Sequence, residues 1–497
     1  MITLLMCAGA LGSWCVLTPD SITYLTTART LIETGHYPTV HLMRPPGFPT
    51  LIAPLLAVGD TPFLPLRIGL SLCWAVTSLL TYLLFRRGLG DRLAWIAGLL
   101  VALNTVLLMQ STVVLSEMLF LPLSLGVLLV TAGWGRGSAG GWMAIFLAGL
   151  LAAAAIMVRS VGVVLLVAPV ILLVIDGSRR PLRRLARAAL FVASASIPLL
   201  VWQVRQSAFP TGDSYGRTWT TAREAEHTDA SGLALQFERL GRFGPMRLEE
   251  IKEAILPSRL AWRAFQPPFD GVTTLLVGGF FLAISLVRII RELSPTDVYF
   301  LLFLLLLSLW PWDEGVRLVV PLIPLLIGNA LWAARRWWRR VGVRRWERRM
   351  LGVAFALFIM VQAGEMRLAQ SRIPGRRAKA MRRIGEMREL AARIREKLPA
   401  GAGLMCVTPN ENNSKTILAG ASYLARTPIR RSLDVHGEMA EPQAMPRQLH
   451  TFVYKTLAEQ VARQWNVVPR FVAGDFTVLS PPASIAARDE LPELDSD

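Results

Sequence analysis

The sequence predicts a polytopic α-helical membrane protein of about eleven transmembrane helices, N-terminus inside and C-terminus outside. A small extracytoplasmic α/β domain is expected at its C-terminal end. Three observations predict this class. Of the 497 residues, 53% are apolar and only 18% charged. Apolar runs of roughly 20 residues, the length a helix needs to cross a bilayer, recur along the chain. The short loops between them concentrate Lys and Arg in every second loop, and so on one side. The same composition excludes disordered, collagen-like and disulfide-scaffold proteins.

Taken in order, the spans are expected at about 1–17, 62–85, 93–111, 118–133, 142–158, 160–175, 188–206, 271–287, 298–310, 318–334 and 350–364. The first lacks the basic leader and small-residue cleavage site of a signal peptide, so it reads as a span. With the N-terminus inside, loops 86–92, 134–141, 176–187, 288–297 and 335–349 are cytoplasmic. They hold nineteen Lys or Arg against five acids, which is +14 of the net charge of +18. Charge so placed is a topology signal, and a nucleic-acid partner is set aside. The reverse orientation would put the two strongest clusters, Arg179 to Arg187 and Arg335 to Arg349, outside.

Residues 1–364 therefore form the transmembrane domain, with outer loops 18–61 and 207–270, the second carrying an amphipathic stretch around Met246 to Ile255. Residues 365–497 form the outer domain. There Met381, Ile384, Met387, Leu390, Ile394 and Leu398 recur at helical spacing. Gly403 to Val407, Asn466 to Val472 and Phe476 to Leu479 read as strands, and Ser414 to Ala425 as a helix. The four cysteines, Cys7, Cys15, Cys73 and Cys406, show no metal spacing and read as packing residues.

Ionisable groups at membrane depth are costly, so those kept there point to chemistry. Asp20, Arg44, Glu117, Arg159, Asp313 or Glu314, and Arg317 all fall at outer edges of spans. Together they suit an anionic substrate held by arginines and worked on by carboxylates. Each also has a plainer reading: Asp20 as a helix N-cap, Glu117 as a helix-dipole partner, Arg159 and Arg317 as snorkelling side chains. His36 and His41 make a poor metal pair, and Trp310 and Trp312 suit interfacial anchors.

Pro19-Asp20-Ser21 with Tyr24, Ala28, Leu31 and Gly35 resembles the first outer loop of polyprenyl-phosphate-sugar-dependent glycosyltransferases of the C-type fold. That class includes the protein O-mannosyltransferases and the lipid A aminoarabinose transferases. Arg44-Pro45-Pro46-Gly47-Phe48-Pro49 is similar to the family's Arg-Pro-Pro-Gly-aromatic-Pro stretch. Ser116-Glu117-Met118-Leu119-Phe120 resembles the start of its fourth span. Val158-Arg159-Ser160-Val161-Gly162 is similar to its Arg-Pro-x-Gly element, with Ser160 in place of proline. Arg317-Leu318 through Pro321 to Pro324 resembles its late Arg-aromatic-Leu-Leu-Pro-x-x-Pro element, with Leu318 in place of the aromatic residue. The resemblance covers roughly residues 15–330.

What it implies is a membrane glycosyltransferase, hexosyl or pentosyl, of the plasma or inner membrane, with its active site on the extracytoplasmic side. Its partners would be the bilayer, a polyprenyl-phosphate-linked sugar donor and a lipid, glycan or protein acceptor. Asp20 would be the base, and Glu117 the second carboxylate, orienting the acceptor or sharing a divalent cation with Asp20 if one is used. Arg44, Arg159 and Arg317 would hold the donor phosphate, with Tyr24, His41, Asp313 and Glu314 as candidate substrate contacts. Direct displacement would invert the anomeric carbon. The rival readings are a transporter or flippase of lipid-linked glycans, which would want charges near the midplane and paired broken helices, and a non-catalytic scaffold.

Overall fold

The structure is a computed structural model that describes residues 15–37, 44–57, 63–132, 134, 141–175, 181–207, 232–256, 270–310, 314–340, 345–397, 403–409, 429–435, 449–454, 468–473 and 476–480. Most of the expected first span, the expected helix 414–425, His41, Asp313 and the acidic last residues lie outside these ranges. Two compact units divide the chain: Met1–Ser13 with Thr27–Ile373, and Trp14–Thr26 with Pro374–Asp497.

The helices run in order α1 (Pro19–Thr34), α2 (Gly47–Leu56), α3 (Phe63–Leu89), α4 (Asp91–Ala102), α5 (Thr105–Gln110), α6 (Glu117–Thr131), α7 (Trp142–Val158), α8 (Val164–Ile175), α9 (Pro181–Ser207) and α10 (Gly232–Ile255). A π-helical turn at Thr274–Gly278 precedes α11 (Gly279–Glu292). Then come α12 (Pro295–Leu309), α13 (Ile323–Arg340), α14 (Arg345–Ser371) and α15 (Ile373–Lys397). Three of the described helices are long and apolar enough to cross a membrane: Phe63–Leu89, Pro181–Arg205 and Gly271–Glu292. Shorter apolar helices sit between them.

Within the first unit α3 packs against α4, α6 and α13, and α9 against α7 and α8. The amphipathic α10 lies on the π-turn, α12 and α13. Buried Trp74, Trp134, Phe120, Phe191 and Phe303 fill the interior, with Trp74 Nε1 donating to the Val101 carbonyl at 3.0 Å.

Two expectations are corrected here. The span expected at 93–111 is two helices, because Asn104 ends the run. Its side chain accepts from the Leu107 amide at 3.1 Å and so caps α5. The arginines expected in cytoplasmic loops are largely helical among the described residues: Arg183, Arg184 and Arg187 lie in the first turns of α9, and Arg335 to Arg340 in the last turns of α13. Arginine's long stem lets a helix run past the apolar layer while the charge stays wet.

At the same ends Arg288 meets Asp297 at 3.5 Å, Ser294 and Asp297 form a capping box, and Trp332 donates to Glu292 at 2.8 Å. α11, α12 and α13 are thus tied together by polar contacts as well as apolar ones.

The second unit contains α15 and a five-stranded sheet: β1 (Gly403–Pro409), β2 (Ile429–Val435), β3 (Leu449–Tyr454), β4 (Val468–Ala473) and β5 (Phe476–Ser480). The order is β2-β1-β3-β5-β4. β1 pairs parallel with both β2 and β3, while β5 pairs antiparallel with β3 and β4. Pro469 lies in β4 at the sheet's edge, where its missing N–H costs least.

Candidate active site

Glu117 is the first residue of α6 and is 1% exposed. A carboxylate so placed is costly unless countered, and two guanidiniums counter it. Arg159 forms an ion pair with Glu117 Oε1, and Arg317 Nε lies 3.8 Å from the same oxygen. Arg317 is itself paired with Glu314, Nε donating to Oε2 at 2.8 Å. Trp310 Nε1 donates to the other Glu314 oxygen at 3.3 Å. The four charges form the row Arg159–Glu117–Arg317–Glu314, closed to solvent at Glu117 and partly open at the arginines.

Local structure puts these side chains together from distant parts of the chain. Arg159 is the extended residue that ends α7 before the 3-10 turn Ser160–Val163. Arg317 lies in the 3-10 turn Gly315–Leu318, which opens at Gly315 with φ +65°, a conformation glycine adopts without strain. Arg44 is half-buried just before α2. A Cβ on Gly47 would lie 2.6 Å from the Met157 carbonyl oxygen, so glycine lets the start of α2 rest on the end of α7. The Arg44 stretch and the Arg159 stretch therefore meet at their backbones.

Asp20 and Tyr24 belong to the second unit, one turn apart on α1, both half-buried. The N-cap reading of Asp20 is corrected. Thr18 is the cap: its hydroxyl accepts from the Ser21 amide at 3.1 Å, and Ser21 Oγ accepts from the Thr18 amide at 3.1 Å. With Pro19 in the first helical position, Asp20 is in the second, and Thr18 holds the capping position.

Three buried arginines, Arg67, Arg239 and Arg247, escaped the sequence reading. Arg67, 0% exposed in α3, donates to the Ser111 carbonyl in the segment that leads into Glu117. Arg247, 1% exposed on α10, pairs with Glu250 and donates to the Leu307 carbonyl at 3.2 Å, just before Trp310. For Arg67 the signal was present, since it is a charge inside an expected span. For Arg247 only the tertiary contact distinguishes it from the other charges of α10.

Among the described residues no three His, Cys, Asp or Glu side chains gather as a metal cage. At Glu117 both guanidiniums crowd one carboxylate oxygen, Oε1. Glu117 Oε2 is buried and has no hydrogen-bond partner among the described residues.

Comparison with known proteins bears on this arrangement. Residues 43–202 match the family model described as dolichyl-phosphate-mannose-protein mannosyltransferase. That segment contains Arg44, Glu117 and Arg159. The ArnT structure from Cupriavidus metallidurans bound to undecaprenyl phosphate is similar at TM-score 0.63 and 14% identity, covering 97% of each chain. The archaeal oligosaccharyltransferase AglB from Archaeoglobus fulgidus, in complex with an inhibitory peptide and a dolichol-phosphate, is similar at TM-score 0.50 and 14% identity. That match covers 86% of this chain and 64% of the other. A structure of the Archaeoglobus fulgidus oligosaccharyltransferase in complex with Zn and sulfate gives TM-score 0.52 at 12% identity, over 87% of this chain and 62% of that one. No curated protein matches the chain. At these identities the likeness is one of fold: the chain has the C-type membrane glycosyltransferase fold that its motifs resemble.

Proposed function

We propose that this protein is a glycosyltransferase that moves a sugar from a polyprenyl-phosphate donor to an acceptor hydroxyl on the extracytoplasmic face of the plasma or inner membrane, with inversion. The observation that carries the proposal is the buried Glu117 held between Arg159 and Arg317, built on a C-type fold. In this reading residues 1–364 span the membrane eleven times, N-terminus inside, and residues 365–497 form the outer α/β domain.

The departing polyprenyl phosphate is stable as an anion, so no general acid is required. The reaction needs positive charge on the phosphate and a base for the acceptor hydroxyl. Arg44, Arg159 and Arg317 supply the first, their planar forks matching phosphate oxygens. Asp20 takes the hydroxyl proton as the oxygen attacks the anomeric carbon. The bond to phosphate breaks on the opposite face, and the electron pair leaves with the phosphate. Glu117 Oε2, buried without a partner among the described residues, accepts a hydrogen bond that orients the acceptor. Tyr24 and Glu314 complete the substrate contacts on the described chain; His41 and Asp313 stay candidates.

The test is incubation of purified protein with a panel of polyprenyl-phosphate sugars. Consumption of one donor with release of polyprenyl phosphate is the expected result. Survival of every donor, including in the presence of mixed envelope acceptors, would refute the proposal.

A further inference from the structure

The second unit contains a cleft that the sugar transfer does not use. One wall is the extended segment from Cys15 to Leu17, and the other is the first half of α15. It holds about 170 Å³. At about 30 Å³ per water that is room for five or six, well below the roughly 300–1,000 Å³ of pockets that enclose a drug-sized ligand. The space suits a headgroup and the first carbons behind it.

Its lining is divided by chemistry. Ala380, Ile384 and Met387 form an apolar floor, each buried. Arg376, Lys379 and Arg383 stand around it, three cations spaced i, i+3, i+7 along one helix face. Like charges at such spacings repel one another, which an anion between them would reverse. Residues 372–388 carry seven basic side chains against one acid, Glu386. Only three of the seven line the cleft; Arg377, Arg382 and Arg388 are exposed and do not. The helix that bears them follows α14, which contains the last expected span, after the single residue Arg372.

A concave, cation-rimmed site with an apolar floor, next in sequence to a membrane span, matches one kind of ligand. We propose that the cleft binds the phosphate headgroup of an anionic lipid, with Arg376, Lys379 and Arg383 on the oxygens and the floor under the first tail carbons. The proposal does not depend on glycosyl transfer.

The test is calorimetric titration of the purified full chain, in uncharged detergent, with dioctanoyl phosphatidic acid, dioctanoylglycerol and inorganic phosphate in turn. Two charge-matched triple variants accompany it: R376Q/K379Q/R383Q on the cleft and R377Q/R382Q/R388Q away from it. The phosphatidic acid should bind the parent protein more tightly than either fragment. The cleft triple should lose about 10²-fold in affinity, and the other triple no more than a few-fold. Should the cleft triple fail to fold, Ala380→Leu, which narrows the floor without touching charge, must weaken lipid binding by itself. Equal loss in both triples would reduce the effect to surface charge and overturn the proposal. So would inorganic phosphate binding as tightly as the lipid, or a parent protein that binds neither.

Discussion

Glu117 depends unequally on its two arginines, and this separates their roles by experiment. Arg159 makes the close contact, whereas Arg317 stands 3.8 Å away and shares itself with Glu314. Arg159→Ala should therefore lower donor affinity and also stability. About 3 kcal/mol is expected, the lower end for breaking a buried pair, because Arg159 is partly exposed. Adding Glu117→Gln to that variant should restore most of the lost melting temperature. Arg317→Ala should lose donor affinity, by about 1.5–3 kcal/mol for a charged hydrogen bond, with little change in melting temperature. Equal melting temperatures and unchanged donor binding in both variants would return the pair to snorkelling.

Asp20 offers a cleaner substitution than its sequence context suggests. Because Thr18 and Ser21 cap α1, Asp20→Asn leaves the helix start intact. Transfer should fall by roughly 10²–10⁴-fold, the contribution usual for a positioned base. A folded Asp20→Asn enzyme at near parental rate would shift the base to Glu117 or Asp313. The sequence pointed to Asp20 through its motif but hid the capping pattern, since Pro19-Asp20 is itself a plausible helix start. It could not pair Glu117 with Arg159 either, because residues 42 positions apart in separate helices share no periodic signal.

Among the elements, α10 is the one whose placement was least legible. Its amphipathic second half was visible, but its partners were not. Asn104 Nδ2 donates to the Ala254 carbonyl at 2.8 Å, and Gln362 Nε2 to the Ile255 carbonyl at 3.0 Å. These are the last carbonyls of α10, which have no partner inside their own helix. One asparagine thus starts α5 and finishes α10. Asn104→Ala should cost about 1 kcal/mol for the lost cap, plus about 1–3 kcal/mol for a buried carbonyl left unpaired. Hydrogen exchange should report it as lost protection in residues 232–255. Protection unchanged there would mean that apolar contact alone holds α10. Strands followed the same pattern: β1, β4 and β5 were read from short apolar runs, whereas β2, Ile-Arg-Arg-Ser-Leu-Asp-Val, carries too many charges to be recognised.

For the whole molecule, the recurrence of apolar runs made the helical class legible, because burial in lipid constrains composition over every turn. Orientation rests on charge placement, and it makes a direct prediction. A reporter active only in the cytoplasm, fused after Asp497, should be silent while the fusion inserts normally. A bright fusion would put the carboxylates and arginines on the wrong side for an outer-face reaction. The division into units was less legible, since the second one draws residues 14–26 away from their neighbours in sequence.

That division has a consequence for how the molecule is made. Residues 14–26 leave the ribosome well before the segment they join, 374–497. The second unit cannot close until residues 374–497 have been made, however early residues 14–26 are inserted. A nascent chain stopped short of residue 374 would carry Asp20 without the surroundings it has in the finished protein. Competence for chemistry would then arrive as a late event in biogenesis, and an abandoned fragment would sit in the membrane inert.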